Sequence, residues 1–161
     1  MRPALATAAF SFALSLLVAV PAMASHYALS EVSRLVPAPD AEKLNKAGVD
    51  TTEQLLDKAG KAKDRKALAK ASGLSVATLT ALAKHCDLLR IKGVGPEMVL
   101  LLEAAGVKSI ADLGKRDAAG LMAAVESANK AKKISEKMPT EPQLADWIEQ
   151  AKKLPPVLDA K

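Results

Sequence analysis

Aromatic side chains are scarce in this chain, with one Trp, one Tyr and two Phe making 2% of 161 residues. Alternating β-branched runs are missing too, whereas alanine, leucine and lysine abound. The composition therefore reads as helix throughout. Cys86 is the only cysteine, so no intramolecular disulfide can form and stability must come from packing. It follows His85 directly, but two adjacent side chains are too few for a zinc site, and Cys86 reads as a buried, inert thiol. His26 and His85 are the only histidines, which leaves little neutral-pH proton chemistry. No Gly-x-Ser-x-Gly, His-Glu-x-x-His or phosphate-loop lysine motif occurs, and acids such as Asp112 and Asp117 read as caps and surface charges. No catalytic residue, metal ligand or cofactor site is expected. The chain reads as a binder rather than an enzyme.

Long apolar runs are confined to one place. Arg2 is followed by an almost wholly apolar stretch from Leu5 to Val20, then by Pro21 and the small-x-small triplet Ala22-Met23-Ala24. That order predicts a cleaved signal peptide over residues 1–24, hence export to a periplasm or the exterior, with a single helical domain over 25–161. The run is shorter than a spanning helix prefers, and no later segment is apolar enough to cross a bilayer. Charge is modestly basic at +5, which permits nucleic acid as a partner without demanding it. Its distribution is uneven. Lys58, Lys61, Lys63, Arg65, Lys66 and Lys70 face only Asp64 over 58–70, and Lys130, Lys132, Lys133 and Lys137 face Glu136 over 130–137.

Helix starts recur. Thr51 with Gln54, Ser109 with Asp112, and Thr140 with Gln143 each pair a hydroxyl cap with an acid or amide three positions on. Ser75 caps a helix from Val76 to about Leu89, with Leu74 and Leu79 placed as a hydrophobic staple. Between Leu88 and Val99 lies Ile91-Lys92-Gly93-Val94-Gly95-Pro96. Two glycines let the chain reverse tightly and bring backbone amides to a surface, and Pro96 suits the first position of the next helix. A helix start adds partial positive charge, so the corner is suited to an anion. An internal echo at a spacing of 58 residues aligns Ala47-Gly48-Val49-Asp50-Thr51 with Ala105-Gly106-Val107-Lys108-Ser109. The same register sets Leu35-Val36-Pro37-Ala38 opposite Gly93-Val94-Gly95-Pro96. Leu35 adds a side chain where close approach is needed and Pro37 has no amide hydrogen, so the first hairpin should be a poor phosphate cradle.

The order Leu88, Ile91, Gly93, Val94, Gly95, Val99 resembles the helix-hairpin-helix motif, which implies sequence-independent grip of nucleic-acid backbones. From about Val32 to Leu154 the chain also resembles the domain-of-unknown-function family numbered 4332. The segments that carry this likeness are 41–49, 68–75, 87–97 and 146–154. The resemblance implies an all-α, compact bundle of short helices with tandem helix-hairpin-helix units. These comprise a degenerate hairpin unit over about 32–57, linking helices over 58–86, an intact hairpin unit over 87–115 and C-terminal helices over 117–154. This chain departs from the family's Gly-x-Gly-Pro-like first hairpin at Leu35 to Ala38.

Two partners follow as expectations. In the first, the amides of Gly93, Val94 and Gly95 hold a phosphate of nucleic acid while Arg90 and Lys92 add charge. In the second, the apolar 35–39 turn and neighbouring helix surfaces dock a protein.

Overall fold

A computed structural model describes residues 26–159, and the leader expected over 1–24 lies outside them. A 3₁₀ turn at Leu29–Val32 precedes eight helices: α1 Ala38–Lys46, α2 Thr52–Ala59, α3 Ala62–Ser72, α4 Val76–Leu88, α5 Pro96–Ala104, α6 Ile110–Leu113, α7 Ala118–Lys132 and α8 Glu141–Lys153. Among the described residues no strand forms, only a single bridge between Ala28 and Thr51. Among the described residues no helix is long and apolar enough to cross a membrane. The architecture is all-α, as composition and capping imply.

Segments this short are marginal helices alone, so packing must hold them. Leu44, Leu55, Leu79, Leu102, Leu113 and Leu144 are each at most 1% exposed and supply much of the common core. Full burial of such a side chain contributes about 1.5–3 kcal/mol. The caps form where the sequence places them. Thr51, Ser75, Ser109 and Thr140 accept the N–H of Gln54, Thr78, Asp112 and Gln143. Gln54 and Asp112 reach one residue further back than a simple capping box, accepting the N–H of Asp50 and Lys108.

The internal echo extends well beyond the aligned letters. Helices α1 and α5 have nine residues each, and α4 and α8 have thirteen each. Gly48 and Gly106 end α1 and α5 with φ of 74° and 88°. Lys58 Nζ donates to the Gly48 carbonyl at 2.8 Å, and Arg116 Nη2 donates to the Gly106 carbonyl at the same distance. Packing repeats as well: α1 on α3, α2 on α4 and α3 on α4 are matched by α5 on α7, α6 on α8 and α7 on α8. The described residues thus form two related four-helix units, joined where α4 runs into α5.

Beyond α8, residues 154–159 return to the first unit. Arg90 holds the Pro155 carbonyl, the Asp159 amide donates to the Gly60 carbonyl at 3.1 Å, and the Asp159 carboxylate accepts the Ala62 N–H at the start of α3.

Candidate nucleic-acid interface

The glycine corner connects α4 to α5, and its conformation follows from its residues. Ile91 and Val94 point inward, 0% and 2% exposed, and anchor the turn to the core. Gly93 between them takes φ of 90°, a left-handed geometry that side chains disfavour. A Cβ there would also come within 3.1 Å of Trp147 Nε1 on α8. Gly93 is therefore fixed on two grounds, backbone and neighbour. Gly95 differs: it is extended at φ −92° and ψ 178°, caps α5, and a Cβ would meet nothing within 4 Å.

The amides divide into used and unused. Lys92 N–H donates to Gln150 Oε1 at 2.8 Å, and Gln150 Nε2 donates back to the Lys92 carbonyl at 3.2 Å and to Asp146 Oδ2 at 2.8 Å. Val94 N–H donates to the Ile91 carbonyl at 3.0 Å, so it is not available to a phosphate as the sequence suggested. A tight turn satisfies its own middle amide. Among the described residues, Gly93 and Gly95 N–H meet no protein acceptor, and Gly95 gives α5 no side-chain cap. Pro96 has no N–H to satisfy.

Charge around the corner also differs from expectation. Arg90 is turned away, because its guanidinium binds the buried Asp87 carboxylate at 2.7 Å and the Pro155 carbonyl. Burial pushes the Asp87 carboxyl up, and Arg90 pulls it back toward the charged form. Arg90 thus serves the core and the tail. Lys92 stays exposed and has no carboxylate partner among the described residues. The segment that follows α7 reaches the start of α5. Glu97, in the first turn of α5, accepts from Ser135 Oγ at 2.9 Å and pairs with Arg34, which in turn donates to the Ile134 carbonyl at 3.0 Å. These bonds draw the exposed Lys130, Lys132, Lys133 and Lys137 segment toward the start of α5. Sequence reading missed Gln150, Trp147, Arg34 and Ser135, since each lies dozens of residues from the corner it braces.

The first turn cannot match this arrangement. The Leu35 and Val36 N–H groups both donate to the Val32 carbonyl, at 2.8 and 2.9 Å, and Pro37 has none to give. Leu35 and Val36 are 3% and 0% exposed. The 35–39 turn therefore presents only Pro37, Ala38 and Pro39, far less apolar surface than its letters suggest, because its large side chains fill the core. The 58–70 basic run is also partly internal. Arg65 is buried and donates to the Ala59 and Gly60 carbonyls at the end of α2, while Lys58 donates to the Gly48 carbonyl in the turn after α1. Among the described residues no cluster of His, Cys, Asp and Glu is placed to hold a metal ion.

No curated protein and no solved structure matches this chain. The family model described as Domain of unknown function (DUF4332) matches residues 36–154, a span that runs from the turn before α1 through the end of α8. The chain belongs to that family.

Proposed function

We propose that this protein is an exported, non-catalytic module that binds nucleic-acid backbones weakly and without reading sequence, through a helix-hairpin-helix unit formed by α4, the 91–95 corner and α5. The observation that carries this reading is the pair of unpaired amides at Gly93 and Gly95 beside the unpaired Lys92. Two N–H donors, the positive end of α5 and an exposed ammonium suit one phosphate. The 130–137 lysines extend the positive surface along a backbone. The first turn, with its amides used or missing, would add nothing. Single-hairpin contact limits affinity, and dissociation constants of about 10⁻⁴ to 10⁻⁶ M are expected at physiological salt. Export would place such a module where extracellular DNA is captured.

Gly95→Glu provides a clean test, because the open, extended site accepts a side chain without strain and the carboxylate then faces the phosphate position. Duplex DNA titrated at two salt concentrations should bind the parent protein with a marked salt slope and bind the variant at least tenfold more weakly. Equal affinity of parent and variant removes the corner from the function.

A further inference from the structure

A second surface lies away from the glycine corner. One face of α4, the α6 region, the end of α8 and the 154–159 tail enclose a groove of about 1220 Å³. This exceeds the roughly 300–1,000 Å³ of a small-molecule site. Val76, Ala77 and Ala81 from α4, Ala111 and Gly114 from the α6 region, and Val157 from the tail give it a largely apolar lining. Val76 and Val157, 40% and 36% exposed, are the only large hydrophobic side chains exposed among the described residues, and both line this groove.

The rim carries an excess of positive charge. Lys66, Lys84, Lys108 and Lys115 border the groove, and none has a carboxylate partner among the described residues. Of the acids that border it, Asp87 is paired with Arg90, while Glu103 hydrogen-bonds His85 and Asp159 accepts the Ala62 N–H, so the unpaired lysines outnumber the remaining carboxylates. An occupant therefore meets an apolar floor flanked by unneutralised ammonium groups. On α4 the lining residues 76, 77, 80, 81 and 84 follow helical spacing, so they form one continuous strip along the axis. Small side chains on that strip and on α6 allow another helix to approach closely.

We propose that this groove docks an acidic amphipathic helix of a protein partner, its apolar stripe on the Val76–Ala81 strip and its Asp and Glu flanks against the four lysines. Helix-in-groove recognition needs an apolar trough of this kind, and complementary charge sets orientation and partner choice. The surface is separate from the glycine corner, so each can be disabled without the other.

A fluorescent 15-residue helical peptide with leucines at i, i+3, i+4 and i+7 and glutamates on both flanks is the probe. It should bind with saturable anisotropy, and the same peptide with lysine flanks should bind at least tenfold more weakly. Ala81→Glu, at an exposed helical position, should abolish binding without lowering Tm, whereas Gly95→Glu should leave it unchanged. The double variant Lys84→Glu, Lys115→Glu should reverse the preference toward the lysine-flanked peptide. The proposal is overturned if the glutamate-flanked peptide fails to bind up to about 1 mM, the weak end of association, or if both peptides bind alike. It is equally overturned if Ala81→Glu leaves peptide binding intact, or weakens only the association with duplex DNA or phosphatidylglycerol vesicles.

Discussion

Two glycines two positions apart do different work. Gly93 holds a left-handed backbone against the Trp147 indole, whereas Gly95 sits in an extended conformation with open space around it. Gly93→Ala should therefore cost about 1–2 kcal/mol from the backbone alone, and Gly95→Ala should lie within about 0.5 kcal/mol of the parent. Urea melts of the two variants check the contrast, and equal losses would contradict it. Cys86 is a second residue whose setting decides its behaviour. Burial, with a smaller effect from the Asp87 charge, pushes its thiol up to about 12, so almost no thiolate exists near neutral pH. Iodoacetamide at pH 8 should leave Cys86 unmodified in the native protein and label it fully in urea, as followed by mass spectrometry. Rapid native labelling would show that the α4 face opens.

Helix ends show how local chemistry is reused within the repeat. At the start of α6, burial raises the Asp112 carboxyl, but the Lys108 N–H and the Arg116 guanidinium outweigh it and hold the group below its ordinary value of 3.8. A carboxyl depressed by folding stabilises the protein above its ordinary value, and that contribution fades as pH falls through the lowered one. Asp112→Asn should lower Tm at pH 7 and flatten its decline below about pH 4, where the parent loses the same interaction. Parallel acid melts of parent and variant would contradict this. The equivalent Gln54 at the start of α2 makes the same backbone contact without a charge. Acid sensitivity should therefore belong to the second unit rather than the first.

On the scale of the whole molecule, the tail ties the two units together. Arg90, itself held by Asp87, donates to the Pro155 carbonyl, and the Gly60 carbonyl accepts the Asp159 N–H. A Cβ on Gly60 would lie 2.6 Å from the Val157 carbonyl, closer than such contacts allow. Gly60→Ala should displace the tail and expose the Ala62 amide. Hydrogen exchange at residues 61–63 should rise sharply while the α8 core stays protected, and unchanged exchange would show that the tail yields without detaching. The groove shares that tail as a wall, so its shape depends on a contact between the two ends of the fold.

Much of this was legible in the letters. Helix identity, the four hydroxyl caps, the 58-residue echo and the buried Cys86 all rest on interactions a few residues long, or on periodicity that any folded state must bury. The corner at 91–95 was legible as a turn for the same reason, since glycine and proline constrain the backbone where they stand. Which donors remained free was not legible. That depended on Ile91 accepting from Val94, on Gln150 crossing from α8 to Lys92, and on a buried Asp87 drawing Arg90 inward. The inward burial of Leu35 and Val36 and the joining of tail to Gly60 were likewise decided by packing. Local propensity is a property of neighbouring residues. The competition for each hydrogen bond and each patch of apolar surface is settled only when distant segments meet.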